Sequence, residues 1–215
     1  MSFSMNGEIV SFNTPDRFRL HGFLSRPRNK SGKAVIHVHG LEGSFYSNDF
    51  VKALANEVTK NGFNFFTIEL RGSYNIWGVK KKLGKKTKEV LMGGDLEKFE
   101  ECIYDIEGAI NFLKSIGVKK IFLEGHSTGC QKTTYYQSKK NNRLVKGLIL
   151  VAPCDDYNIQ KRDLGKKFRE AVRFAKKHYK INPNSFMPKK YVGGNPVSVR
   201  RFLSLCDLRF VESRL

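Results

Sequence analysis

At 215 residues, with 40% apolar and 12% aromatic side chains, the chain can bury one substantial core, which excludes a disordered polymer and leaves little room for two domains. Thirty-nine Lys and Arg against 20 Asp and Glu give a net charge of +19, a field that attracts anions, yet no helix-turn-helix, zinc-finger or aromatic-basic pattern accompanies it and no specific nucleic-acid binding is expected. No run approaches the roughly eighteen apolar residues of a membrane span, "MSFSMNGEIV" lacks a secretory-signal profile, and Cys102, Cys130, Cys154 and Cys206 show no C-x-x-C spacing, so reduced thiols in a cytoplasmic protein are expected.

"GEIVSFN" and "FRLHGFLSRP" have strand character, and the turn-forming "TPD" between them predicts an antiparallel pair. "KAVIHVHG" is a short apolar run stopped by glycine, the pattern of a buried strand. "NDFVKALANEVTKNG" places Phe50, Leu54 and Val58 on one helical face and ends at Gly62. "FNFFTIELRG" reads as the next buried strand, and the lysine cluster "KKKLGKKTK" as solvated surface. Asp95 is expected to cap a long helix carrying Leu96, Phe99, Ile103, Ile106, Ile110 and Leu113 on one face. "KKIFLEG" then predicts a strand, "STGCQKTTYYQSKK" a helix and "VKGLILVAP" a strand. Residues 161–180 predict a basic helix with Leu164, Phe168, Ala171, Val172, Ala175 and Tyr179 along one side, and "NPVSVRRFLSLCDL" a last helix. Apolar strands alternating with helices mean an α/β fold, a mostly parallel sheet covered on both faces.

Within this alternation "GHSTG" lies between a buried strand and a helix. Gly125 and Gly129 flank His126, Ser127 and Thr128. A strand that turns abruptly into a helix crowds the neighbouring residues, so glycine at both flanks removes clashes while the serine hydroxyl is lifted above the sheet. The helix N-terminus that follows favours negative charge beside it. A second feature, "HVHGLEG", ends the earlier strand with His39, Gly40 and Leu41 at another carboxyl edge. On its own, "HG" there reads as a turn with a satisfied, partly buried imidazole.

Taken together, "HVHGLEG", "IELRG", the long helix, "GHSTG" and "GLILVAP" resemble the α/β-hydrolase superfamily from about residue 7 to about residue 155, and "GHSTGCQ" with "APCDD" is similar to its siderophore-esterase-like branch. The resemblance implies Ser127 as nucleophile, with the Leu41 and Thr128 N–H groups forming an oxyanion hole. It implies a small ester or thioester substrate and no cofactor or metal. The basic helix adds an expectation of an anionic substrate. Cys130 stands where a second glycine is frequent, and "RGSYNIWG" where "RGHG" is common.

The resemblance also calls for an acid and then a histidine after later strands. Asp155 and Asp156 follow "GLILVAP" and are the candidate acids, while His178 is the one histidine after Ser127 and the candidate base. A helix cap for the aspartates and a solvated helix position for His178 are the plainer roles. The expectation is therefore a single domain: a hydrolase-like core, a basic cap-like helical segment over about residues 156–205, and a tail over 206–215 without family character, in which the last strands are missing. Activity of such a chain is in question, and the alternative is a non-catalytic interaction protein on a degenerate hydrolase scaffold.

Overall fold

The structure is a computed structural model that describes residues 4–193 and 196–206; all but the first residue of the expected 206–215 tail lies outside them. In chain order the elements are β1 (Glu8–Asn13), β2 (Phe18–Ser25), β3 (Lys33–Val38), α1 (Asp49–Lys60), β4 (Asn64–Ile68), β5 (Trp77–Leu83) and β6 (Lys86–Met92). They continue with α2 (Cys102–Ser115), β7 (Lys120–His126), α3 (Thr128–Lys140), β8 (Val145–Val151), α4 (Asp156–Leu164), α5 (Phe168–Tyr179), α6 (Lys189–Val192) and α7 (Val199–Cys206).

One eight-stranded sheet runs β6-β5-β2-β4-β3-β7-β8, with β1 paired to β2. β4, β3, β7 and β8 are parallel. The other pairs are antiparallel, so the sheet is mixed. The expected β1–β2 pair is present, and Thr14 closes its turn: the hydroxyl donates to Asp16 Oδ1 (2.6 Å) and accepts from the Phe18 amide (2.9 Å). The β5–β6 hairpin is absent from the sequence expectation. Its strands carry the lysine cluster, which stays largely exposed, and they turn over Gly84 at φ +59°. Alternation there is masked because Lys80, Lys81 and Lys82 are consecutive and only Val79 and Met92 are fully buried.

Three apolar clusters form the interior. The largest packs Leu20, Ile36, Phe66, Ile106, Leu113 and Leu123 between the sheet and α2 and α3. A second lies under α1, where Val51 and Ala55 are fully buried. The expected face of α1 is thus rotated by one residue, because Phe50 is 36% exposed and places its ring against His37 and His126. The third cluster joins α5, α6 and α7 through Ala171, Ala175, Tyr191, Phe202 and Leu203. Each fully buried large apolar side chain contributes about 1.5–3 kcal/mol.

Two helix boundaries differ from expectation. Asp95 does not cap the long helix, which begins at Cys102 after a single 3₁₀ turn, Phe99–Glu101. Asp95 instead holds a loop: its amide donates to Asn75 O and its carbonyl accepts from Ser198 N. The basic helix breaks at Gly165, whose φ of +49° interrupts helical backbone between α4 and α5. β8, expected to be buried, is paired with β7 alone among the described residues, and Ile149, Leu150 and Val151 are 38–46% exposed.

Charge is also buried. Arg71, 1% exposed, follows β4 and binds Asp105 of α2 through its amide (2.9 Å), Nε (2.9 Å) and Nη2 (2.8 Å). Its Nη1 and Nη2 reach Asp16 in the β1–β2 turn at 2.9 Å each. One guanidinium therefore pins the end of a central strand to a helix and to a distant hairpin, a use for which its planar fork is suited.

Candidate active site

The site forms where β3 and β7 end side by side, because parallel neighbours present their following loops at the same edge. Ser127 closes β7 at φ +54°, ψ −125° and is immediately followed by α3. A non-glycine residue at this backbone position is strained by about 1–3 kcal/mol and persists only where its surroundings enforce it. They do. The Ser127 amide donates to Val151 O (3.0 Å), the Cys130 amide returns to Ser127 O (2.9 Å), and Cys130 Sγ donates to Gly125 O (2.9 Å).

Close approach explains the glycines. A Cβ on Gly125 would stand 2.5 Å from the Gly129 carbonyl, and one on Gly129 would stand 2.0 Å from Val38 O. On Gly40 it would lie 3.0 Å from Ser127 Cβ and 3.4 Å from Ser127 Oγ, so the loop after β3 runs directly beside the hydroxyl. Leu41 follows Gly40 and is 43% exposed. Thr128 opens α3, so its N–H has no partner within the helix.

His39 is fully buried rather than partly so. Its Nδ1 lies 2.7 Å from Gly40 O, which can only accept, so the proton is on Nδ1 and Nε2 accepts from Ser73 Oγ at 2.8 Å. Ser73 in turn accepts from the Leu70 amide (2.9 Å). Sequence reasoning missed Ser73, although "RGSYNIWG" marked its position as a departure. Burial, with help from the Lys132 charge, pushes the His39 pKa down to about 3.

That shift has a pH consequence. Above pH 6.5 the imidazole is neutral in both folded and unfolded chains; between 6.5 and 3 only the unfolded chain takes up the proton. His39 should therefore remove about 2 kcal/mol of stability between pH 7 and pH 5. Urea denaturation at the two pH values measures it, and His39→Asn should flatten that part of the profile. An unchanged slope in the variant would assign the loss to other groups.

The other expected residues separate. His126 is half-buried, with its ring 4.9 Å from that of Phe50 and no hydrogen-bond partner on Nδ1. Asp155 caps α4, accepting from the Asn158 amide (3.0 Å) and Asn158 Nδ2 (2.6 Å), bonds that hold its carboxyl below the ordinary range. His178 stacks on Phe174 at 4.0 Å between centroids, with no hydrogen bond to Ser127. Asp156, by contrast, reaches the turn at Ser127, where its Oδ2 accepts from Thr128 Oγ1 at 3.2 Å.

Cys154 was not singled out as a site residue, yet its Sγ lies 3.8 Å from Ser127 Oγ and 3.6 Å from Asp156 Oδ1. Burial and the Asp156 charge push its thiol up, so it stays protonated and acts as a donor. Its position after β8 was the available signal, since β8 neighbours β7 and their trailing loops must meet. Among the described residues no group of three or more His, Cys, Asp or Glu could hold a metal ion, and no helix is long and apolar enough to cross a membrane.

Comparisons with known proteins bear on the family and the fold. The chain is 29% identical over 195 residues to the UPF0613 protein PB24D3.06c of Schizosaccharomyces pombe, covering 84% of this chain and 56% of that protein. It is 25% identical over 216 residues to the fusarinine C esterase sidJ of Aspergillus fumigatus, covering 84% and 59%. The chain thus spans less than two thirds of the length of these curated relatives. The siderophore hydrolase EstB from Aspergillus fumigatus superposes with a TM-score of 0.58 at 20% identity, covering 98% of this chain and 66% of that one. Residues 15–212 match the family described as Protein of unknown function (DUF1749). The chain belongs to that family and has the α/β-hydrolase fold.

Proposed function

We propose that this chain carries the nucleophile and oxyanion hole of a serine hydrolase acting on a carboxylic ester or thioester of a small molecule. The observation that supports it most is the enforced φ of +54° at Ser127, which lifts Oγ out of the turn between β7 and α3. Backbone in this region without a local purpose is rare, and a nucleophile elbow supplies the purpose. Ser127 Oγ attacks the acyl carbon and the alkoxide or thiolate leaves. The Leu41 and Thr128 N–H groups hold the tetrahedral oxyanion, each such donor contributing roughly 3 kcal/mol in comparable enzymes.

The proton on Oγ needs an acceptor. His39 is excluded by its buried Nδ1–H tautomer and its use of Nε2 toward Ser73. Cys154 keeps its own proton, and Asp156 lies one residue removed, bonded to Thr128 and Cys154. Turnover by this chain is accordingly expected to be orders of magnitude below that of a complete triad. A fluorophosphonate probe should label folded protein at Ser127, slowly, and Ser127→Ala should abolish the labelling.

The second reading is an inert scaffold. It is favoured by one observation: among the described residues, the side-chain partner of Ser127 Oγ is a sulfur at 3.8 Å rather than an imidazole. Folded protein that gives no labelled Ser127 peptide under any condition would decide for it.

A further inference from the structure

A cavity of about 300 Å³ opens between Leu41 and Asp156, the two residues that flank the Ser127 turn. Against the chain's +19 charge its lining is acidic, with Glu42, Asp95 and Asp156 all facing it. Apolar side chains from α4 and α7, among them Ile159, Phe202 and Leu205, complete the wall.

Two buried side chains in that wall carry polar atoms that make no hydrogen bond. Asp95 is 2% exposed and its Oδ1 accepts no hydrogen bond. Arg201 is 1% exposed, and neither Nη1 nor Nη2 donates one, although Nη1 stands 2.7 Å from Glu97 Oε1 as an ion pair. Glu97 is already engaged by Lys132 Nζ, 3.0 Å from both carboxylate oxygens. Leaving such groups unpaired costs about 1–3 kcal/mol each, more where charge is involved. An unpaired carboxylate oxygen of Asp95 and the unpaired Nη2 of Arg201 in one wall describe a missing partner that offers a positively charged donor next to an accepting oxygen.

We infer that this cavity binds the part of a substrate that bears a protonated primary amine beside a carbonyl or carboxylate oxygen, with Asp95 and Glu42 taking the ammonium and Arg201 the oxygen. Its role as a substrate subsite rests on the reading of Ser127 given above; the binding itself does not. Burial, and then the Glu42 charge, push the Asp95 carboxyl up by more than a hydrogen bond from Asn75 and the charge of Arg201 lower it, and a bound cation would relieve the rest. The three carboxylates surround a volume rather than converge as metal ligands do, and the apolar wall suits a branched aliphatic side chain. This runs against the expectation of an anionic substrate, which was drawn from the basic helices. The charge of the surface and the charge of the cavity are opposite.

Leucinamide and N-acetyl-leucinamide, which differ by the ammonium, test it by calorimetry or ligand-observed NMR at pH 6.5. Leucinamide should bind the wild-type protein and Ser127→Ala alike, and the acetylated form at least about tenfold more weakly. Asp95→Asn, and separately Glu42→Gln on the half-buried rim, should each weaken leucinamide about five- to tenfold. Equal binding of the two amides, no binding of either, or an affinity untouched by both substitutions would overturn the assignment. Because the readout is binding to protein with or without the serine hydroxyl, an inert Ser127 leaves this result unaffected, and a failed binding experiment leaves the acylation chemistry standing.

Discussion

Arg71→Leu should lose about 3–5 kcal/mol of folding stability, the usual cost of removing one partner from a buried ion pair. The substitution takes from the fully buried Asp105 carboxylate the two hydrogen bonds of the guanidinium, from Nε and Nη2, and leaves it only the one from the residue 71 amide. Burial already pushes the Asp105 carboxyl up, and removing the guanidinium pushes it further, so the group should protonate or draw in water. Asp16 is affected too. Burial raises its carboxyl, but hydrogen bonding and the charge of Arg71 more than offset this and hold it below the ordinary value of 3.8. Its contribution is therefore present above that pH and lost as pH falls through the folded value. Urea denaturation at pH 7 measures the cost, and Arg71→Leu with Asp105→Leu should recover part of it. A loss below about 1 kcal/mol in the single variant would mean that the clamp is solvated.

Gly129→Ala carries the other large effect. Its new Cβ would lie 2.0 Å from Val38 O and 2.9 Å from His39 O, both backbone atoms of the strand end beside the turn. No side-chain rotation relieves such a contact, so α3 must move away from β3. Overpacking costs typically 1–3 kcal/mol and more where the neighbours are rigid; about 3 kcal/mol or greater is expected here, measured as a shift in urea midpoint. Labelling of Ser127 should disappear together with the stability, because the same displacement opens the gap between the Gly40 loop and Oγ. Gly147→Ala supplies the contrast, since its Cβ would meet only the Phe122 ring at 3.3 Å, which can shift. If Gly129→Ala proved as mild as Gly147→Ala, α3 would be free to move away from the end of β3 at little cost.

Much of this was legible in advance. The parallel strands announced themselves because strands buried on both faces are mostly apolar, as "KAVIHV" and "KIFLEG" are apart from their terminal lysines and the buried His37 and Glu124, which pair with each other. Ser127 stood out because glycine at both flanks of a strand-to-helix turn has a mechanical purpose, and the structure places backbone where each side chain would have been. The β5–β6 hairpin was not legible, since three consecutive lysines conceal a two-residue period when neither face is deeply buried. Asp95 misled for a different reason. Aspartate before an apolar helix is a good cap by local rules, but its loop is held by Asn75 and Ser198 across the fold.

Local chemistry in the chain itself determined which segments become strands and helices, where the sharp turn falls and which hydroxyl it presents, because these depend on neighbours within a few residues. Only the folded molecule decided what surrounds that hydroxyl. Cys154 and Asp156 arrive from the strand next door, His39 is turned away toward Ser73, and Asp95, Glu42 and Arg201 gather from separate loops and a distant helix. The physical reason is that hydrogen bonds and charges act over a few ångströms of space, and residues 42, 95, 156 and 201 have no relation along the backbone until the sheet brings them to one edge.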